Sequence, residues 1–509
     1  MAILSLPICL IWQEYYALIP FAIAAIASIA TGQLFYRPFR HVGESRMYHA
    51  LIAVAIAWGI IPLFAAIPFS VIASHFAASD APLTIREFQD PLNCIFEAFS
   101  GFTSAGLSVA RKASKLPHSL QWWRSFMQWM GGVGVIVLAI SLLEPSSDSE
   151  QLYSAEGRSS KIGLTVQSTV RKIWKIYLGY TVGSILLLWL VGMPVWEAIN
   201  HGMAGISTGG FSIKDDSMGA YSPTIRLAVS AIMTLGAISF PVHYRLWRDR
   251  RPSALWGNDQ HVALWLLLGV GFGLLVAINA VYQDSIPWLE SWFQWVSALG
   301  TCGFNSTNIN AWSGTAKLLM TIAFVIGGTA GSTVGGLKLS RVTTLYRAIL
   351  WHFQRLTLKP HQMMRYEIDG EVVTETEASR RVEGAAVLAM LWMAMLLLGL
   401  FSLRTVAPPQ YTSIDVAFET ASALGSVGLS IGITGPELPW LGRLTEILLM
   451  WMGRLEIVPV LLFLSSGTQW LLHLPRFISR LSQNTSDRRK KQLANPNFTE
   501  NGNDRLADG

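Results

Sequence analysis

Charge is scarce in this chain. Of 509 residues only 14% are Asp, Glu, Lys or Arg, against 51% hydrophobic, and the mean hydropathy is +0.40. That balance describes a polytopic membrane protein and excludes a large soluble enzyme. Three cysteines, Cys9, Cys94 and Cys302, are too few and too scattered for a CxxC metal pair or a disulfide framework. The ten histidines include no HExxH spacing, and there is no Walker loop and no GxGxxG after a strand. Convergent acids, histidines or a nucleophile at one depth, which a membrane enzyme needs, are missing as well. No enzyme activity and no resident cofactor are therefore expected. The net charge of +6 is mostly Lys and Arg in short loops, which is topology information rather than a nucleic-acid surface.

What is present is a series of apolar runs. Those long enough to span are Tyr16 to Phe35, Leu51 to Ala73, Trp122 to Leu143, Ile173 to Val191, Ile225 to Leu246, Val262 to Val281, Ala316 onward, Ala385 to Phe401 and Leu444 to Phe463. Met1 to Trp12 is too short to cross, and with no basic region before it and no cleavage site after it, it does not read as a signal peptide. Between alternate spans lie short apolar pieces opened by proline or an acid: Pro91 to Phe102, Pro194 to Ile206, Pro287 to Leu299 and Asp415 to Leu424. The connections Tyr36 to Arg46, Glu144 to Lys172, Arg245 to Pro252, Tyr346 to Arg381 and Arg476 onward hold most of the positive charge and should face the cytoplasm. All four short pieces then fall on the outer side. The polar tail from Ser482 to Gly509, with the basic run Arg488 to Lys491, is expected to be disordered and to meet anionic lipid or a partner.

The short pieces repeat. Anchored on Gly106, Gly209, Gly303 and Gly428, each has a hydroxyl two residues before (Ser104, Ser207, Thr301, Ser426) and a small residue five before (Gly101, Ala204, Ala298, Ala423). Nine before stands Glu97, Asn200, Gln294 or Glu419. The anchor spacings of 103, 94 and 125 residues fit a unit of span, re-entrant helix, narrow loop and span, used four times. Non-helical backbone survives at membrane depth only where it is packed in protein or lines a watery path. Four such loops about one axis make a ring of carbonyls able to replace the hydration shell of a monovalent cation, and glycine permits the close approach.

A second glycine cluster, Gly327 to Gly336, interrupts the span that runs into Lys338 and Arg341, where small residues free a helix to break and Ser332 and Thr333 can satisfy its backbone. Arg454 lies inside the last apolar run, where a charge is a functional hypothesis; the competing reading is an ion pair with Glu456 or Glu446. Lys338 and Arg341 either cap the broken helix or anchor it on the positive side. Glu97 and Glu419 are expected to hold neighbouring loops by hydrogen bonds rather than to draw cations to the outer mouth.

The loops FTSAGLS (Phe102 to Ser108), ISTGGFS (Ile206 to Ser212), LGTCGFN (Leu299 to Asn305) and LGSVGLS (Leu424 to Ser430), with WRSFMQWMGGVG (Trp123 to Gly134), AGSTVGGLKLSR (Ala330 to Arg341) and MGRLE (Met452 to Glu456), resemble the TrkH/KtrB/HKT superfamily of potassium transporters over nearly the whole chain. The resemblance implies an all-α polytopic membrane protein with four pseudo-symmetric units around one potassium (K+) pore, extra N-terminal helices and a homodimer. It implies a filter of backbone oxygens at Thr103, Ser104, Ala105 and Gly106, at Ile206, Ser207, Thr208 and Gly209, at Gly300, Thr301, Cys302 and Gly303, and at Gly425, Ser426, Val427 and Gly428. Gly106 stands where some sodium-carrying relatives have serine, which favours potassium. A gate is implied at Gly327, Gly328, Gly331, Ser332, Thr333, Gly335 and Gly336, with Arg454 as a pore-facing barrier; Val334 replaces a more usual glycine or alanine.

By the same resemblance, residues 1–46 hold the extra helices, 47–150, 151–252, 253–360 and 361–474 the four units, and 475–509 a cytoplasmic tail. The chain would sit in the bacterial cytoplasmic (inner) membrane with its filter loops outward and be regulated by a separate nucleotide-binding ring of TrkA or KtrA type. Sodium-coupled or less selective cation transport is the alternative within that class.

Overall fold

Helix α1 (Ala2–Ile11) and helix α2 (Leu18–Phe39) lead the chain. The first unit follows as α3 (Met47–His75), a short α4 (Leu83–Glu87), α5 (Pro91–Phe102) and α6 (His118–Val133). The second comprises α7 (Val166–Leu190), α8 (Val195–Ile206), α9 (Pro223–Ala237) and α10 (Phe240–Asp249). The third comprises α11 (Asp259–Tyr282), α12 (Trp288–Leu299), α13 (Gly314–Ile326) and α14 (Leu339–Thr357). A hairpin of β1 (Tyr366–Ile368) and β2 (Glu371–Val373) precedes α15 (Glu375–Val406), α16 (Ser413–Leu424) and α17 (Trp440–Arg454). This computed structural model describes residues 1–39, 47–76, 82–134, 165–282, 286–357, 359 and 364–466. Met1–Val460 form one compact unit; of the second, Leu461–Gly509, only the helical 461–466 are described, and the expected polar tail lies outside the described residues.

One pattern occurs four times: a long helix (α3, α7, α11, α15), a helix of 12 residues (α5, α8, α12, α16), a non-helical turn and an inner helix (α6, α9, α13, α17). Local chemistry starts each short helix. Asp90 accepts from Leu92 N ahead of Pro91, Pro194 and Pro287 occupy the caps of α8 and α12, and Thr412 with Asp415 forms a capping box on α16. Each short helix packs on the long helix before it and the inner helix after it, and each inner helix also packs on the next unit's short helix. Contact of α17 with α5 closes the circle.

The long helices and α2 are apolar and long enough to cross a membrane. The inner helices are not: the expected spans Ile225 to Leu246 and Leu444 to Phe463 are broken in the structure, and α13 breaks where the glycine cluster from Gly327 was expected to interrupt it. α6 stops at Val133 with Gly134 at φ 95°, α13 stops at Ile326 with Gly327 at φ 68°, and α17 stops at Arg454, followed by left-handed Glu456 and Ile457. The run Ile225 to Leu246 is two helices bent by 101° around extended Ile238. At 1.5 Å per residue these helices reach roughly 20–24 Å, short of the ~30 Å hydrocarbon thickness. Residues 135–143 of the expected Trp122 span lie outside the described residues. The hairpin was also unforeseen: its Asp369-Gly370 turn has both φ angles positive, the signature of a two-residue type I′ connection, and Trp351, Tyr366, Ile368 and Ala378 cluster beneath it.

Candidate ion-conduction site

Every short helix ends the same way. After the cap residue (Thr103, Ser207, Gly300, Gly425) comes a hydroxyl residue in the left-handed region: Ser104 at φ 55°, Thr208 at 50°, Thr301 at 43° and Ser426 at 51°. The next amide turns back onto the helix, Ala105 N to Ser100 O, Gly209 N to Ala204 O, Cys302 N to Ser297 O and Val427 N to Ser422 O, at 2.8–3.0 Å. Then comes a glycine at φ 77–90°: Gly106, Gly210, Gly303, Gly428. A left-handed non-glycine costs about 1–2 kcal/mol. Four such residues at matching positions are held by their surroundings.

These glycines interlock. A Cβ on Gly106 would lie 2.3 Å from Gly209 O; on Gly210, 2.2 Å from Cys302 O; on Gly303, 2.4 Å from Val427 O; and on Gly428, 2.3 Å from Ala105 O. Each glycine thus faces the preceding residue's carbonyl of the next turn, and the fourth returns to the first. The result is a closed ring of backbone.

Ring contacts and turn bonds correct the second frame, which is Ser207 to Gly210, one residue later than spacing from Gly209 places it. Ile206 is the last residue of α8 and lies outside the turn. The position nine before the glycine becomes His201 instead of Asn200, whose side-chain amide merely bonds Trp196 O within its own helix at 2.8 Å. In the correct register the four side chains share a task. Glu97 accepts from Ser108 Oγ at 2.9 Å and Val109 N at 3.0 Å, and Glu419 from Ser430 Oγ at 2.6 Å and Ile431 N at 3.1 Å. His201 Nε2 lies 2.9 Å from Ser212 Oγ, and Gln294 Nε2 donates to Ser306 Oγ at 3.4 Å. Both acids are fully buried, holding the chain that leaves the ring.

The glycine-rich segment after α13 lies against the ring. Thr333 Oγ1 donates to Gly236 O (3.0 Å) or Ile206 O (3.2 Å) and lies 3.2 Å from Thr208 Oγ1. Gly335 N donates to Thr301 Oγ1 at 2.8 Å and Gly336 N to Gly425 O at 3.0 Å. Val334 is buried against Gly328. Arg454 reaches across: Nη1 donates to Thr333 O at 3.3 Å, and Nη2 to Gly131 O and, at 3.0 Å, Gly132 O. Its guanidinium also lies over Trp58. Of the two acids considered as partners for Arg454, Glu456 is held by Lys338 and Arg341 at the start of α14, and Glu446 by Thr434.

Comparison with known proteins gives this geometry a family. The model of the family described as "TrkH: Cation transport protein" matches residues 20–471. The chain belongs to the TrkH family. An uncharacterized cation transporter of Methanocaldococcus jannaschii is 29% identical over 83% of this chain and 83% of its own. The Trk system potassium uptake protein TrkH of Escherichia coli K12 is 27% identical over 87% of this chain and 90% of its own. The crystal structure of the potassium transporter TrkH from Vibrio parahaemolyticus superposes with a TM-score of 0.75 at 23% identity, covering 91% of this chain and 95% of that one, and so shows the shared fold. This is a family of transporters, and among the described residues no group of three or more His, Cys, Asp or Glu could hold a metal ion.

In this TrkH-family chain, sequence reading missed a belt around the ring. The fourth residue of each inner helix reaches the first turn of the next unit's short helix. Gln121 Oε1 accepts from Trp196 Nε1 at 2.9 Å, Arg226 pairs with Glu290, Lys317 Nζ with Asp415 Oδ1 at 2.7 Å, and Arg443 with Asp90 at 2.6 Å. A basic residue inside an apolar run was the available signal, applied to Arg454 alone. Lys317 and Asp415 are both under 10% exposed. Lys317→Met therefore leaves a buried carboxylate without its counter-ion and is expected to destabilise the detergent-solubilised protein by about 3–5 kcal/mol, with the Lys317→Met/Asp415→Asn pair, which keeps an acceptor for Thr412 N, recovering most of it. Thermal unfolding of the three proteins checks this; a single variant as stable as the parent would refute the clamp.

Proposed function

We propose that this chain conducts potassium across a cytoplasmic membrane through the ring, with backbone carbonyls of Thr103 to Gly106, Ser207 to Gly210, Gly300 to Gly303 and Gly425 to Gly428 replacing the ion's water. The observation that carries this is the closure of four glycine turns, each glycine against the next turn's carbonyl. Such a ring leaves no room for side chains and offers oxygen dipoles, the ligand set suited to a large monovalent cation. Potassium is favoured over other cations because the TrkH relatives of Halomonas elongata and Escherichia coli are potassium uptake proteins.

The segment Gly327 to Gly336 is the gate in this reading, and Arg454 holds a fixed positive charge beside it. A membrane potential supplies the driving force, worth about 2.3 kcal/mol per charge per 100 mV. In this reading the filter loops lie on the outer face of a bacterial inner membrane, an orientation that the basic connections in the sequence support. Control from a nucleotide-binding cytoplasmic ring, and a homodimer, belong to the same proposal.

The test is rubidium and potassium uptake into proteoliposomes under an imposed potential, with and without excess sodium. Uptake that sodium does not suppress is expected. Strong suppression favours sodium-coupled or less selective transport, and no uptake by folded protein, even with a regulatory ring supplied, removes the transport reading.

A further inference from the structure

Behind the fourth turn, two carboxyl groups meet at one hydroxyl. Thr434 Oγ1 is within hydrogen-bonding distance of Glu419 Oε1 and 2.9 Å from Glu446 Oε1, and both glutamates are fully buried. A threonine hydroxyl has a single hydrogen, so it can donate to only one of them. Glu419 is the better acceptor. It already draws Ser430 Oγ, Ile431 N and Thr434 N, the donor set of an ionised carboxylate. Glu446 has no such set, since its other oxygen, Oε2, is buried without a hydrogen-bond partner among the described residues.

The neighbouring charges are committed elsewhere. On α17 itself, Arg443 bonds Asp90 and Asn93. From α5, Glu97 is held by Arg124; from α16, Asp415 is held by Lys317. Arg404 on α15 is exposed, and α3, which touches α17 through Gly59 and Trp451, has its histidines, His49 and His75, only towards its ends. An ionised Glu446 would face Glu419 across one oxygen in a buried site, a like-charge pair with no counter-ion among the described residues.

We infer that Glu446 is a proton-binding site: at neutral pH its carboxyl is neutral and donates its hydrogen to Thr434 Oγ1, while Thr434 donates to Glu419. The first unit shows the alternative solution. Arg124 is the seventh residue of α6 as Glu446 is of α17, and there a guanidinium contacts Glu97 at 2.7 Å. With His201 and Gln294 at the other two positions, the fourth unit alone keeps an uncompensated carboxylate behind the ring. The proton on Glu446 is what permits it, because it props Glu419 through Thr434 without adding a positive charge.

Two arms test this. Infrared difference spectra of the purified protein at neutral pH, wild type against Glu446→Gln, are expected to show a protonated-carboxyl band lost in the variant; its absence from the difference overturns the inference. In proteoliposomes, Glu446→Gln keeps a neutral donor and should retain rubidium uptake within about twofold, whereas Glu446→Met removes it and should lose about tenfold, the size expected for a buried donor lost. Equal damage by the two substitutions overturns the positioning role. The uptake arm rests on the transport reading above and the infrared arm does not, so a chain that fails to transport yet shows the band fails only the former.

Discussion

Gly303→Ser is expected to abolish selective rubidium uptake, while Gly183→Ala leaves it unchanged. Gly303 sits at φ +90°, and a side-chain carbon there would lie 2.4 Å from Val427 O and 3.0 Å from Gly428 Cα. Both obstacles are backbone, so neither moves without opening the ring. The left-handed conformation alone costs about 1–2 kcal/mol, and each 1.4 kcal/mol or so is tenfold in rate. At Gly183 nothing lies within 4 Å of the added carbon. The same logic separates the two neighbouring glycines of the second turn. Gly210→Ala meets Cys302 O at 2.2 Å with φ at +77°, whereas Gly209→Ala meets the side chain of Gln128. Uptake should therefore suffer more at Gly210, and the reverse order would return the frame to Gly209.

That frame shows what the chain reveals and what it hides. The short helices were legible because a dozen apolar residues cannot span and because proline or an acid opens each. The second turn was misregistered by one residue because Gly209 and Gly210 both satisfy a glycine anchor, with hydroxyls two before either. Only the bond from Gly209 N to Ala204 O and the approach of Gly106 to Gly209 O decide between them. The break after α9 was hidden for a different reason, unlike the one at Gly327 that its glycines announced: Ile225 to Leu246 is apolar apart from Arg226, Ser230, Thr234, Ser239, His243, Arg245 and the helix-starting Pro241. Ala237, whose carbonyl ends α9, is instead engaged by Thr329 from the third unit. A break stabilised from 92 residues away leaves little local trace. The belt is less local still, since Arg443 and Asp90 are 353 residues apart, and neither residue type names its partner. Buried acids at Glu97 and Glu419, by contrast, were readable as loop supports, because a carboxylate within a short buried helix must find donors nearby.

Arg454→Gln is expected to raise rubidium flux by about tenfold, equivalent to about 1.4 kcal/mol off the barrier, and to weaken dependence on any regulatory ring. Two contributions are lost together. One, on the proposed reading, is a fixed charge beside the ion path, which in a low-dielectric setting opposes a cation more strongly than it does in water. The other is a tether, because the guanidinium joins Thr333 O in the glycine-rich segment to Gly131 O and Gly132 O at the end of α6. Thr333→Val separates them. It removes the hydroxyl that bonds the carbonyls of Ile206 and Gly236 but leaves the charge of Arg454 and its bond to the Thr333 carbonyl. A segment held mainly by its own hydroxyl contacts would open in that variant with the charge still present. Arg454→Lys probes the opposite case, keeping the charge while a single ammonium replaces the planar fork that spans two sides. Flux in the lysine variant near the parent's would assign the barrier to charge, and flux near the glutamine variant's would assign it to the tether. Unchanged flux in Arg454→Gln would remove the arginine from gating altogether, leaving it a helix-end clamp like those of the belt.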